Sequence, residues 1–170
     1  MPDGPEKTIL GSEQKAWLSQ TLAASDAAFK LVFSPTPVVG PDRDNKQDNH
    51  ANEIFAWEGQ QLRELFAATP GVIVCCGDRH WQYASVDAET GLWEFGCGPG
   101  SESHELGWKE GDQRASHRFL RVAGGYLSGE LGYPEGQGGA VLTLRHHAVN
   151  GQPLNKFDFN AVPSKAGDSR

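Results

Sequence analysis

The chain has 170 residues, which suits one domain with a sizeable core. Its 22 acidic residues outnumber its 15 basic residues, and the net charge of −7 argues against a nucleic-acid partner, which would need a basic protein face. No apolar run approaches the roughly 20 residues that cross a bilayer, so no membrane partner is expected. The first residues lack the apolar core of a signal peptide, so no export signal is expected in this chain.

The first half of the chain alternates predicted helices and strands. Residues 1–8 are rich in Pro, Gly and charged residues and are predicted to be a disordered lead-in. A helix is predicted near 12–25, with Ser12 as its N-cap and Trp17 on its apolar face. Residues 30–34 predict a short buried strand, which ends at the prolines that follow.

A long polar loop, residues 35–52, separates this strand from the next predicted helix. A loop of that length inside a compact domain is either functional or disordered. The apolar spacing from Ile54 predicts a helix that ends near Pro70, and a strand is predicted at 72–76. The order of helix, strand, loop, helix and strand is typical of an α/β fold with neighbouring parallel strands.

The second half of the chain predicts strands and turns. Most of the 21 glycines follow residue 90, which disfavours long helices there. Alternating apolar residues predict four strands, and the chain from 161 to 170 is predicted to be a frayed tail. The four predicted strands are 82–86, 92–95, 118–122 and 140–147.

The most informative segment is the predicted strand 72–76 with the Gly77-Asp78-Arg79-His80 sequence that follows it. Side chains alternate along extended backbone, so Asp78 and His80 are predicted to project to the same side. A carboxylate and an imidazole there could bind one divalent or trivalent cation. Two ligands cannot fill a coordination sphere of about four to six groups, so an ordinary half-buried histidine beside a turn-capping Asp78 stays an open alternative.

The order of these motifs resembles the PhoD-type alkaline phosphatases of the metallophosphoesterase superfamily, over roughly residues 7–150. Order is harder to obtain by chance than any single motif. The matching segments are the Leu-Gly-x-Glu-Gln-x-x-Trp-Leu helix at 10–18, the Ser-x-Thr-Pro turn at 34–37, Asp-Asn-His at 48–50, Gly-Asp-x-His at 77–80 and the strand and turn at 93–101.

The resemblance implies a fold and an activity. The fold is α/β, half of a metallophosphoesterase-like two-sheet sandwich of mixed sheets flanked by helices, in a single partial domain at 9–160. The activity is hydrolysis of phosphate mono- or diesters at a centre of two ions of iron, calcium or zinc. The site residues implied are Asp78 and His80 as metal ligands, His50 as a proton donor or substrate contact, and Arg79 and Asn49 as phosphate contacts.

The chain also departs from the family pattern. The upstream Asp-bearing strand, Gly-Asp motif and Asn-His motif are not found, so the chain resembles a carboxyl-terminal half and is expected to be weakly active or inactive alone. Half a sandwich would expose apolar sheet surface, which predicts self-association. Family members are usually exported to the periplasm or the cell exterior.

Two other functions remain open at this stage. The chain could be a non-catalytic α/β interaction module in which Asp78 and His80 are a vestigial metal motif. It could also be a hydrolase with one metal, bound jointly by Asp48, His50, Asp78 and His80, if the 35–52 loop folds over the strand end.

Overall fold

The computed structural model describes residues 1–136 and 138–161. These residues form two packed β-sheets and two α-helices, with short 3-10 turns at Glu53–Phe55 and Glu102–His104. The helices are α1 (Gly11–Ala24) and α2 (Ala56–Ala68), and the strands are β1 (Lys30–Ser34), β2 (Val72–Cys76), β3 (Gln82–Val86), β4 (Trp93–Cys97), β5 (His117–Arg121), β6 (Gly125–Gly132), β7 (Val141–Ala148) and β8 (Phe157–Asn160).

The two sheets differ in strand direction. The first sheet has the order β1-β2-β4-β3-β5, with β1, β2 and β4 parallel and β3 antiparallel to both of its neighbours. The second sheet, β6-β7-β8, is antiparallel throughout. The predicted α/β architecture of two sheets flanked by helices is therefore confirmed, with one mixed sheet rather than two.

Each face of the first sheet contacts a different layer. On one face, Val72 and Val74 of β2 pack with Leu62 and Phe66 of α2 and with Leu22 of α1. On the other face, residues of β2, β3 and β4 pack against Leu142 and Leu144 of β7. All five residues of β2 are buried, as the sequence predicts, because a central parallel strand is covered on both faces.

Three predictions about the first 34 residues are wrong. Trp17 is 60% exposed and does not join the core. Ser12 does not cap α1, which begins at Gly11; the Gly11 N–H donates instead to the hydroxyl of Thr8 at 2.8 Å. β1 is only half buried, because it lies at the edge of its sheet and its residues alternate between intermediate and exposed.

Two of the strands, β6 and β8, were not predicted from the sequence. β6 contains glycine at positions 125, 129 and 132, and this glycine content hides its strand character. β8 is short and alternates Phe with polar residues. The predicted lead-in, residues 1–8, consists of bends, turns and irregular backbone, and Asp3 accepts a hydrogen bond from the Trp57 N–H. The predicted tail lies outside the described residues, except for Ala161.

Candidate active site

The Gly77–His80 segment is a tight turn at the carboxyl end of β2, not a continuation of the strand. Asp78 has φ 58°, in the left-handed region that residues other than glycine rarely occupy. The prediction that Asp78 and His80 lie on one side assumed extended backbone, and that assumption is wrong. Asp78 is exposed, His80 is partly buried, and the buried His80 Nδ1 has no hydrogen-bond partner among the described residues.

Arg79 connects this turn to the 35–52 loop through three carboxylates. Its Nε donates to Asp42 Oδ2 at 2.8 Å and its Nη2 to Asp48 Oδ1 at 2.8 Å, while Nη1 pairs with Asp78. Arg79 and Asp42 are buried. Burial lowers the pKa of Arg79, but the hydrogen bonds and charges of Asp42 and Asp48 outweigh it and raise the pKa above its usual value. The guanidinium is thus fully engaged with protein carboxylates.

Asn49 organises the same loop from the inside. Its Oδ1 accepts hydrogen bonds from the backbone N–H groups of Ala51 and Asn52, both at 3.0 Å. Its Nδ2 donates to Asp42 Oδ2 at 2.9 Å, next to the Arg79 contact on the same oxygen. Asn49 is completely buried, so its amide has no free surface for a substrate in this conformation.

His50 faces α2 rather than solvent. Its Nε2 lies 3.0 Å from Glu58 Oε2, and both side chains are buried. Burial lowers the pKa of His50, and the neighbouring Glu58 opposes that effect without cancelling it. Glu58 also accepts hydrogen bonds from the Ile9 N–H, at 2.6 Å, and from the Thr8 hydroxyl. His50 therefore belongs to a contact between the loop, α2 and the start of the chain.

Glu94 of β4 holds the first part of the loop and was not singled out by the sequence analysis. This fully buried carboxylate accepts hydrogen bonds from the N–H groups of Val38, Val39 and Gly40 at 2.7, 3.0 and 2.9 Å. It also accepts a hydrogen bond from the hydroxyl of Tyr83 at 2.7 Å. Burial raises the pKa of Glu94, and these four hydrogen bonds oppose the rise. The signal in the sequence was a charged residue inside an otherwise apolar strand.

The structure thus brings together only some of the predicted site residues. Asn49, Arg79 and Asp78 belong to one hydrogen-bonded network with Asp42 and Asp48, whereas His50 bonds to Glu58. Within residues 1–136 and 138–161, no group of three or more His, Cys, Asp and Glu side chains is placed to hold a metal ion. The alternative single-metal site of Asp48, His50, Asp78 and His80 is therefore not assembled in the described part of the chain.

The described residues thus combine a two-sheet α/β fold with an Asp-x-His turn at the end of a parallel strand and a polar loop bonded to that turn. The sequence model of the PhoD-like phosphatase family matches residues 2–150. The chain therefore belongs to that family.

Two solved structures share the fold at low sequence identity. The first, "GAP50 the anchor in the inner membrane complex of Plasmodium", has a TM-score of 0.64 and 14% identity, over 94% of this chain and 47% of that one. The second, "Structure of PhoD", has a TM-score of 0.54 and 14% identity, over 96% of this chain and 37% of that one. The chain thus spans less than half the length of either. A search of curated proteins finds no match.

Across the described residues, no helix combines the length and the apolar composition that crossing a membrane requires.

Proposed function

We propose that this chain carries one side of a metal-dependent phosphate-ester hydrolase site, with Asp78 and His80 as metal ligands. Membership of the PhoD-like phosphatase family supports the reaction class. The observation that carries the proposal is the turn itself: Asp78 holds a left-handed backbone at the carboxyl end of a parallel strand, where α/β proteins place ligands. Strain of this kind is characteristic of functional positions.

The donors at this turn suit a metal ion. Imidazole and carboxylate are ligands for iron and zinc, and carboxylate oxygen also suits calcium. The unpartnered Nδ1 of His80 is a buried polar atom that needs a partner. Two donors are fewer than such ions require, so the remaining ligands of a two-ion centre would come from protein outside the described residues. Bound ions would activate water and neutralise charge on the phosphoryl oxygens.

The chain's own residues would position this half-site. Arg79 pairs with the Asp78 carboxylate, and Asp42 and Asp48 hold Arg79. The roles that the family resemblance implies for His50, Asn49 and Arg79 stay predictions. Each of these side chains is buried and bonded to protein groups, so contact with a substrate requires the 35–52 loop to open.

The test is metal binding by the purified chain, measured by calorimetric titration with Zn²⁺ and with Ca²⁺. Weak binding is expected for the wild type, and His80→Ala should abolish it. The control is His104→Ala, which alters an exposed histidine on the 3-10 turn and should bind as the wild type does. Equal affinities in His80→Ala and His104→Ala would overturn the ligand assignment. Hydrolysis of p-nitrophenyl phosphate, measured in parallel, would show whether the half-site has activity without further ligands.

The second candidate is a non-catalytic interaction module. It is favoured by the likeness of fold to GAP50, an anchor in the inner membrane complex of Plasmodium, and by the exposed apolar side chains of β1. A folded wild type that binds neither metal and hydrolyses no ester would support this candidate.

A further inference from the structure

The outer face of the second sheet, which points away from the first sheet, is polar along β6 and β7. Leu142 and Leu144 of β7 pack toward the first sheet. Side chains alternate along a strand, so the odd-numbered positions of β7 and their partners on β6 lie on the outer face. This face comprises the cross-strand pairs Tyr126–His147, Ser128–Arg145 and Glu130–Thr143. A mixture of hydroxyl, imidazole and charged groups is typical of a sheet face that contacts water.

A serine and a histidine on this face form a hydrogen bond. Ser128 Oγ lies 2.8 Å from His147 Nε2, and both residues are half-buried. The two are diagonal neighbours across the strands, because His147 pairs with Tyr126, two residues before Ser128. The Tyr126 ring stacks against the imidazole, with ring centroids 4.6 Å apart. An imidazole at this distance from a hydroxyl is placed to act as its general base.

The other ring nitrogen of His147 fixes the direction of this hydrogen bond. His147 Nδ1 lies 3.2 Å from the carbonyl oxygen of Gly151. A carbonyl oxygen can only accept a hydrogen bond, so the proton of the neutral imidazole is on Nδ1 and the free lone pair is on Nε2. The Ser128 hydroxyl therefore donates its proton to Nε2.

The turn after β7 holds the Gly151 carbonyl in place. The Gly151 N–H donates to Ala148 O, and the Ala148 N–H donates to Gln152 O, both at 2.9 Å. Gly151 has φ 86°, in the left-handed region that glycine adopts without strain. The turn therefore returns the chain to His147 and orients the imidazole toward Ser128.

We propose that Ser128 is an acylation site, with His147 as the base that activates its hydroxyl. A nucleophile, a base and a group that orients the base are the parts of an activated serine. Ser128 Oγ attacks the carbonyl carbon of an activated carboxylic ester, and His147 Nε2 takes the hydroxyl proton. The bond from that carbon to the leaving oxygen breaks, and the proton passes from His147 to the leaving oxygen. The products are acylated Ser128, the free hydroxy compound and neutral His147.

This site is separate from the proposed hydrolase site. Ser128 and His147 belong to the second sheet, whereas the Gly77–His80 turn follows β2 of the first sheet. The chemistry differs as well, because the acyl group is transferred to a side chain of the protein. Failure of either proposal therefore leaves the other standing.

The test is the reaction of the purified chain with p-nitrophenyl acetate. The wild type should release one p-nitrophenolate per chain in a rapid first phase, and peptide mass spectrometry should place one acetyl group on Ser128. Ser128→Ala should lose both the rapid phase and the label. In His147→Gln, acylation of Ser128 should be slower by about 100-fold to 10,000-fold, the usual contribution of a general base.

The control is Ser103→Ala, which removes an exposed serine whose hydroxyl bonds to Ser101 rather than to a histidine. This variant should react as the wild type does. A folded wild type that gains no acetyl group on Ser128 would overturn the proposal. A His147→Gln variant that keeps the wild-type circular dichroism spectrum and acylates Ser128 at the wild-type rate would overturn it equally.

Unfolding supplies a readout that does not depend on a substitution. The pair of Ser128 and His147 joins two strands, so urea that unfolds the wild type should remove the preference of the reagent for Ser128 over the other serines. Labelling of Ser128 at the same rate in the folded and the unfolded chain would contradict activation by His147.

Discussion

Arg79 Nη2 lies 2.8 Å from Asp48 Oδ1, and this contact joins two sequence motifs that are 31 residues apart. Asp48 begins the Asp-Asn-His motif of the loop, and Arg79 lies inside the Gly-Asp-x-His turn. The residue between the two predicted metal ligands therefore orders the loop as well as the turn. Its role is structural in this conformation, and it can be tested by stability measurements before any activity is known.

Replacement of Arg79 by Ala should destabilise the fold strongly. It removes the nearest cation from the buried carboxylate of Asp42 and leaves only Arg43 Nε, at 3.7 Å, and losing one partner of a buried ion pair costs about 3–5 kcal/mol. Urea denaturation measures the change. The control is Arg118→Ala on β5, which removes an exposed arginine and should cost less than about 1 kcal/mol. Equal losses in the two variants would contradict the organising role of Arg79.

The Glu94→Gln variant should weaken the attachment of residues 38–40, in the first part of the 35–52 loop, to β4. A neutral amide cannot offer two acceptor oxygens to three N–H groups, so a buried donor loses its partner at a cost of about 2–4 kcal/mol. Amide exchange at Val38, Val39 and Gly40 should accelerate together with the loss of stability. Glu89→Gln, in the exposed turn between β3 and β4, is the matched control and should change neither quantity.

Asp78→Gly and Asp78→Ala together isolate the backbone strain of the turn. Both remove the carboxylate, but only glycine adopts φ 58° without a steric penalty, so the Gly variant should be more stable than the Ala variant by about 1 kcal/mol. Thermal or urea unfolding of the pair measures this difference. Both variants should lose metal binding. A Gly variant no more stable than the Ala variant would mean that the turn relaxes to an unstrained conformation.

Stability should fall as the solution is acidified from pH 6.5 to pH 4. Burial lowers the pKa of His146 from its ordinary 6.5 to about 4, although its ring hydrogen-bonds to Gly96 and Asn155. In that range the unfolded chain binds a proton at this residue and the folded chain does not. The free energy of unfolding therefore falls by up to about 3 kcal/mol. Burial also lowers the pKa values of His50 and His117, which act in the same direction.

Urea denaturation at several pH values checks this expectation. The dependence of stability on pH should be shallower in His146→Gln than in the wild type and should be unchanged in His104→Gln. An unchanged dependence in His146→Gln would show that His146 titrates equally in the folded and unfolded chains.

Local patterns predicted the parts of the fold that depend on burial from both sides. β2 reads as five apolar residues and is buried at all five, and the order of elements around it predicts parallel strands correctly. The patterns failed where a residue's environment depends on what covers it. The residues of β1 are as apolar as those of a central strand, and nothing local reveals that Phe33 lies at an edge.

The candidate site was predictable in its residue types and not in its contacts. The sequence singles out Asp78, His80, Asn49, His50 and Arg79 through their motifs. It cannot show that Arg79 is shared among three carboxylates or that His50 faces Glu58, because those partners are distant along the chain. Glu94 was missed for the same reason: its significance lies in three N–H groups more than fifty residues upstream.

Glu58 contacts both Thr8 and Ile9 at the start of the chain and His50 in the 35–52 loop, so the residue at which an expressed chain begins affects the conformation of the loop. A shortened chain that begins after Ile9 would leave Glu58 with His50 and Lys15 as its polar partners among the described residues, although Glu58 lies about fifty residues from the deletion along the sequence. The loop that carries Asn49 and His50 would then relax for reasons unrelated to either residue. Shortened variants of this protein therefore report on the loop faithfully only when they retain these two residues.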